Sequence, residues 1–173
     1  MKRLLFTAIF IISQFLFISC EKEEIGGTAT QKMAGEWYVK VVAIDDNGDV
    51  VYEDEDLFGL GYFHLDTYNS AANIPTEMWI NDNGNFWDFK AKIKVDLDAM
   101  TFHAEDVQNE AYDSRLTITD GKILLGAATT PSGMPADSIV FNVSFSDDDF
   151  PENYGYAQYR IAGFRYTGFK NDD

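Results

Sequence analysis

Cysteine and histidine are scarce in this sequence, and their scarcity excludes several kinds of site. The 173 residues include one cysteine, Cys20, and two histidines, His64 and His103. A single cysteine cannot form a disulfide within the chain, so the fold depends on its packed core for stability. Two distant histidines without a further thiol do not supply the ligands of a zinc site. We therefore expect no metal and no other cofactor.

Basic residues are also few. The chain has 13 lysines and arginines against 29 aspartates and glutamates, which gives a formal net charge of −16 at pH 7. A surface of this sign repels nucleic acid and anionic headgroups. We expect no nucleic-acid partner, and the composition does not indicate which protein, if any, the chain binds.

The one long apolar run is at the N-terminus. It extends from Leu4 to Phe17 after the basic pair Lys2 and Arg3. This run is shorter than the roughly 20 residues that cross a bilayer, and a basic start with a small-residue end is typical of a secretory signal peptide. We predict a signal peptide over residues 1–19.

The end of that run resembles a bacterial lipobox, although Phe17 stands where leucine is usual. The resemblance implies cleavage before Cys20 and a diacylglycerol on its thiol; a free structural cysteine is the alternative. The acidic run Glu21–Glu24 resembles the signal with which Bacteroidota export lipoproteins to the outer face of the outer membrane, or is simply a solvated charge run. We expect an outer-membrane lipoprotein with an acidic flexible tether over residues 20–33 and one folded domain over residues 34–173.

Beyond residue 34 the alternation of apolar and polar residues is typical of half-buried β-strands. It is clear over residues 37–43, 87–95 and 139–145. Dipeptides that favour tight turns occur at Asn47-Gly48, Asn83-Gly84 and Asp120-Gly121. These turns predict a return strand at residues 50–52, a hairpin that comes back directly through residues 87–95, and a hairpin of residues 115–119 with 122–127.

With a last strand at about residues 154–169, the count is about eight to ten strands and no internal helix. Short strands at nearly regular spacing indicate a sandwich or a closed up-and-down barrel. Closure is favoured because it removes exposed sheet edges. We predict an all-β, antiparallel, up-and-down β-barrel.

The first strand of the domain resembles that of the lipocalin-like (calycin) barrels. In those proteins a tryptophan shortly after a glycine plugs the closed end, and a late arginine lies over it. The resemblance gives these roles to Trp37, after Gly35, and to Arg165. The alternative is an ordinary core tryptophan.

Five segments together resemble the Bacteroidota lipoprotein family described as lipid-binding putative hydrolase. They are residues 67–73, 78–82, 137–139, 146–148 and 163–169. The resemblance implies a calycin-like fold and a lipid or other apolar ligand.

An eight-strand barrel is wide enough either to fill with side chains or to hold one small ligand. Aromatic walls with few polar groups suit an apolar ligand. The candidate lining residues are Met78, Trp87, Phe89, Phe141, Phe145 and Tyr159. If these side chains meet in the middle instead, the protein is a non-catalytic surface interaction or structural module with a filled core.

A hydrolase is the less favoured interpretation. Ser138 is the candidate nucleophile, but no Gly-x-Ser-x-Gly motif is present, and His64 and His103 lie at strand positions that favour solvent. Ser138 also lies in a sequence that resembles an O-glycosylation acceptor of Bacteroidota. The acidic turns at residues 45–49, 53–56 and 147–149 could hold calcium, but none has EF-hand spacing. We therefore assign no catalytic residue.

Overall fold

The computed structural model describes residues 27–51 and 59–172. The predicted signal peptide, the lipidated Cys20, the acidic run after it and the acidic turn at residues 53–56 lie outside the described residues. Within the described part, residues 28–33 form turns, and Thr30 and Met33 are fully buried. Part of the segment expected as a tether therefore packs against the folded domain.

Eight antiparallel strands form a closed barrel in which each strand pairs with the next along the chain and the last pairs with the first. The strands are β1 (Gly35–Ile44), β2 (Phe63–Asn69), β3 (Glu77–Asn81), β4 (Lys90–Asp96), β5 (Thr101–Gln108), β6 (Arg115–Thr129), β7 (Pro135–Phe145) and β8 (Gln158–Arg165). The predicted all-β, up-and-down, lipocalin-like barrel is confirmed, with eight strands.

The alternation in the sequence sorts side chains between the inside and the outside of this barrel. In β1 the side chains of Trp37, Val39, Val41 and Ala43 are buried, whereas the residues between them are partly exposed. The inward side chains of the other strands join them in one apolar cluster. Removal of this apolar surface from water is the main force that closes the sheet.

The two ends of the barrel differ. The start of β1 lies beside the end of β8, since Trp37 pairs with Arg165, and the turns at residues 28–33 cover this closed end. The opposite end, which we call the open end, carries the loop between β3 and β4 and a five-residue helix, α1 (Phe150–Tyr154). The sequence predicts no internal helix; in the structure Pro151 starts this one and Gly155, at φ 78°, ends it.

The predicted hairpin at Asp120-Gly121 is wrong, because β6 runs through it as one strand. The pairing of β6 with β7 shifts by one residue between Thr119 and Lys122, as in a β-bulge. Asp120 takes the left-handed φ of 55° that a turn would also need. The dipeptide therefore bends a continuous strand and does not reverse it.

Three other predicted strands are also corrected. The return strand at residues 50–52 is reduced to a single bridge between Ile44 and Val50, with Tyr52 outside the described residues. The Asn83-Gly84 turn forms, but β4 starts only at Lys90, so residues 82–89 are a wide loop and not a tight hairpin. The last strand is also shorter than predicted and ends at Arg165.

Within residues 27–51 and 59–172, none of the helices has the length and apolar character needed to cross a membrane.

Candidate functional site

The closed end is built around the buried indole of Trp37. The guanidinium carbon of Arg165 lies 4.4 Å from the centre of the Trp37 ring. The indole Nε1 donates a hydrogen bond of 2.8 Å to the hydroxyl of Thr67, which in turn donates to the carbonyl of Met33 at 2.7 Å. The indole is therefore bound at its N–H and covered on one face.

Arg165 links three segments at this end. Its Nη1 donates to the carbonyl of Ala34 at 2.8 Å, and its Nε donates to the carboxylate of Asp137 at 3.1 Å. A Cβ atom on Gly35 would lie 2.0 Å from Nη1 of Arg165. Glycine at position 35 therefore leaves room for the arginine that covers Trp37.

The open end is shaped by Asp82, a buried residue at the start of the wide loop. Its Oδ1 accepts hydrogen bonds from the backbone N–H groups of Gly84 and Phe89, and its Oδ2 accepts from those of Phe86 and Trp87, all at 2.8–3.0 Å. One carboxylate thus satisfies four main-chain donors that the ladder does not reach. Because the loop is fixed in this way, Phe86 and Trp87 are held over the open end.

Aromatic side chains crowd this end, and we call them the mouth cluster. The mouth cluster consists of Phe63, Phe86, Trp87, Phe89, Phe145, Phe150, Tyr156 and Tyr159. Phe86 contacts four of these rings, at centroid distances of 5.0–6.1 Å. Trp87 stacks on Phe145 at 5.1 Å with an interplanar angle of 12°. Phe86, Trp87 and Phe150 are only partly buried, so the cluster reaches the surface.

Hydrogen-bonded phenols form the polar side of the mouth cluster. The hydroxyls of Tyr156 and Tyr159 are 2.7 Å apart, and that of Tyr159 donates to Oδ2 of Asp148 at 2.7 Å. Burial, followed by the hydrogen bonds to Tyr156 and Asp148, raises the pKa of Tyr159 far above its usual value. The phenol is therefore neutral at every physiological pH, and it presents an uncharged polar group beside the aromatic rings.

The six predicted lining residues separate into two groups. Trp87, Phe89, Phe145 and Tyr159 contact one another in the mouth cluster. Met78 pairs with Ile93 deep in the wall, and Phe141 packs on Phe102 at 5.6 Å. Both side chains are fully buried in the core.

Sequence reasoning missed Phe86 and Asp82. If residues 86–89 formed a regular strand, Phe86 would lie on the opposite face from Trp87 and Phe89 and would point outside the barrel. These residues form a loop instead, so the alternation does not apply to them. The one sequence feature that indicates the loop is the aspartate just before the Asn83-Gly84 turn.

A cleft of about 310 Å³ lies between β4 and β5. The ladder between these strands has only three residue pairs, from Lys94 with His103 to Asp96 with Thr101. The cleft is lined by Glu77, Lys92, Ile93, Lys94, Ala104, Glu105 and Val107. Lys92 is 3.4 Å from Glu77, so charge is balanced at its rim.

Two of the three groups considered for catalysis are held by other contacts. Ser138 donates its hydroxyl to the carbonyl of Gly163 at 2.8 Å. His64 lies on the outer wall with Nδ1 2.9 Å from Glu36 and its ring against Tyr166, and His103 is exposed on β5. The structure thus shows Ser138 bound to a main-chain acceptor.

The acidic turns that the structure describes bind their own chain. Asp45 accepts from the backbone N–H groups of Asn47 and Asp49, and the hydrogen bond from Asp49 is the main cause of its lowered pKa. Asp147 accepts from the hydroxyl of Tyr112 at 2.6 Å. Among the described residues, no three acidic, histidine or cysteine side chains are grouped as they would be around a metal ion.

The chain matches a known protein family. A model of the family described as lipid-binding putative hydrolase matches residues 22–170 of this chain. The match covers the whole barrel, including the closed end and the mouth cluster. No curated protein is similar enough in sequence to count as a relative.

Proposed function

Because the chain belongs to the lipid-binding putative hydrolase family, we propose that its barrel binds a small hydrophobic ligand or lipid at the mouth cluster and catalyses no reaction. The observation that carries this proposal is the position of Phe86 and Trp87. Asp82 holds both rings at the open end, where they are only partly buried against an otherwise buried core. Ordered apolar side chains that remain partly exposed in this way are typical of a ligand site.

The chemistry of the mouth cluster suits a ligand with an apolar body. The rings of Phe86, Trp87 and Phe145 offer flat apolar contact. The hydroxyls of Tyr156 and Tyr159 lie next to them, but their protons are donated within the pair and to a neighbouring carboxylate. We therefore expect the alkyl chain of a fatty acid or a similar single-chain lipid to lie against the rings.

Trp87 provides the test, because the three tryptophans occupy different places. Trp37 is buried at the closed end, Trp79 pairs with Tyr68 on the outer wall, and Trp87 lies in the mouth cluster. Titration of the mature protein with oleate should change tryptophan emission saturably. The change should be lost in Trp87→Phe and retained in the matched control Trp79→Phe.

Native lipid that copurifies with the protein gives an independent check. Organic extraction of the purified protein should release an apolar molecule in near-stoichiometric amount, and Phe86→Ala should retain less of it. Absence of extracted lipid together with no oleate response would refute the ligand proposal.

We also propose that the protein is held in the outer membrane by acyl chains on Cys20, exposed at the cell surface. The support is the lipobox-like end of the apolar N-terminal run and the acidic residues that follow it. Two or three acyl chains hold a protein on a bilayer where one does not. Cys20→Ala should abolish labelling by a palmitate analogue in cells, and persistent labelling would refute the anchor.

The second candidate is a structural or interaction module with a filled core. It is favoured by the complete burial of Met78, Phe89, Phe141 and Tyr159 in one continuous apolar cluster. This candidate predicts no oleate response and a protein partner that cross-links to the chain in intact cells. A serine hydrolase has less support, since the Ser138 hydroxyl is bound to Gly163; unchanged esterase activity in Ser138→Ala would remove it.

A further inference from the structure

Four large apolar side chains are exposed at the closed end of the barrel, opposite the mouth cluster. Leu124 and Leu125 lie on β6, Met134 lies in the turn after it, and Phe169 follows β8. Their exposed fractions are 43%, 67%, 58% and 67%. We call this set the closed-end patch.

The closed-end patch is a fixed surface, because hydrogen bonds tie its segments together. The carboxylate of Asp172 accepts from the backbone N–H of Ser132 at 2.8 Å and from the hydroxyl of Thr167 at 2.6 Å. The turn that carries Phe169 is thus joined to the turn that carries Met134. On β6, next to Leu125, the backbone N–H of Gly126 donates to the carboxylate of Asp137.

Asp137 connects the closed-end patch to the Arg165–Trp37 contact. Its second carboxylate oxygen binds Arg165, which covers Trp37. The hairpin with Leu124 and Leu125 therefore has a defined position relative to the closed end, since Ser138 pairs with both Leu124 and Phe164.

The chain enters the fold at this same end. The backbone N–H of Ala29 donates to Asn73, Thr30 and Met33 are buried, and the carbonyl of Ala34 accepts from Arg165. Residues 20–26 separate Cys20 from the first described residue, Gly27. Seven extended residues reach at most about 25 Å. An anchor at Cys20 therefore holds the closed end within about 25 Å of the bilayer.

We infer that the closed-end patch is a membrane-contact surface that rests on the bilayer holding Cys20, so that the mouth cluster points away from the membrane. The inference rests on the Cys20 anchor of the proposed function. Exposed leucine, methionine and phenylalanine side chains gain by entering the interfacial region of a bilayer, and Lys170, next to Phe169, can keep its ammonium in water. In this orientation the protein takes its ligand from the side facing away from the membrane.

Site-specific quenching tests the inference. Cys20 is the one cysteine of the sequence, so after its acylation a single introduced cysteine is the only free thiol. One variant is Leu125→Cys in the closed-end patch. The other is Tyr154→Cys, at an exposed apolar position on α1 at the open end. Each full-length lipidated variant is labelled with a small environment-sensitive dye and placed in phosphatidylcholine vesicles with or without doxyl-labelled phospholipid. We expect at least a twofold loss of emission at position 125 and no loss at position 154.

A second preparation separates failure of the anchor from failure of the surface. In it, the mature chain carries Cys20→Ser and an N-terminal histidine tag that binds chelating lipid. If the untagged lipidated chain does not float with vesicles, the Cys20 anchor is wrong, but quenching at position 125 in the tagged chain still supports the surface.

Three results of the quenching measurement would overturn the inference. They are equal emission losses at both positions, a loss at position 154 alone, and no loss at position 125 in either preparation. Disulfide-linked dimers of the unlabelled Leu125→Cys variant without quenching would assign the face to a second copy of the chain, which also overturns it.

Discussion

The guanidinium of Arg165 lies over the indole of Trp37, 128 positions earlier in the chain, and the two residues pair across β8 and β1. The pairing of β1 with β8 closes the sheet into a barrel, and the arginine covers its closed end. It also joins the N-terminal turns to the β6–β7 hairpin, since Arg165 binds both Ala34 and Asp137.

Gly35→Ala should destabilise the protein by displacing Arg165. The new Cβ would lie 2.0 Å from Nη1, and the side chain would lose its hydrogen bond to Ala34 and its place over Trp37. We expect a cost of about 1–3 kcal/mol in the free energy of unfolding, measured by urea denaturation. In an Arg165→Met background the same change should cost less. Strict additivity of the two changes would contradict the account.

Asp82→Ala should destabilise the open end strongly. The change leaves four main-chain N–H groups without their acceptor, so we expect a loss of about 3 kcal/mol or more. Oleate binding should weaken as well, because Phe86 and Trp87 lose their positions. Asp98→Ala, at an exposed site in the β4–β5 turn, is the matched control and should have stability close to that of the wild type. A wild-type unfolding midpoint for Asp82→Ala would refute the assigned role.

Protonation of Asp172 should loosen the C-terminal segment at low pH. Hydrogen bonds from Thr167 and then Ser132 lower its pKa to about 2. Because the folded-state pKa lies below the usual value, the stabilisation is present above about pH 4 and is lost as the pH falls towards 2. The amide proton shift of Ser132 should follow this titration by NMR. In Asp172→Asn the titration should disappear, and a Ser132 shift that titrates with a midpoint near 4 would contradict the prediction.

Gly121→Ala should test whether Asp120-Gly121 is a bulge. In the barrel, a Cβ at position 121 would lie 2.4 Å from the carbonyl oxygen of Phe102 and 2.5 Å from its ring. Neither group can move without shifting β5, so we expect a cost of about 2–4 kcal/mol. Thr119→Ala, at a nearby exposed position, should cost much less. In a solvent-exposed hairpin turn, Gly121→Ala would meet no such obstacle, and a neutral result would favour that alternative.

The sequence allowed the barrel to be predicted, because alternation is a local signal that burial enforces. Residues 37–43 and 139–145 show it plainly. The strand count was uncertain because a turn and a bulge use the same residues: Asp120 takes a left-handed φ in either case. Only the long-range pairing of β6 with β7 distinguishes them.

The candidate site was harder to predict, for a different physical reason. Four of the six proposed lining residues meet in the mouth cluster. Phe145 and Tyr159 do so because they follow the alternation of β7 and β8, whereas Trp87 and Phe89 lie in the wide loop. Phe86 lies in the same loop, and its direction follows from the hydrogen bonds that Asp82 makes there. A strand pattern gives no information about a side chain placed by such a loop.

The most direct test of ligand binding at the mouth cluster is to locate an apolar chain bound to the protein. Crystals grown with a bromine-tagged fatty acid, measured at the bromine absorption edge, give the position of the tag without assumptions. If the ligand binds at the mouth cluster, we expect an anomalous peak in contact with Phe86, Trp87 and Phe145 at the open end. A peak confined to the cleft between β4 and β5, or no bound fatty acid at saturating concentration, would contradict it.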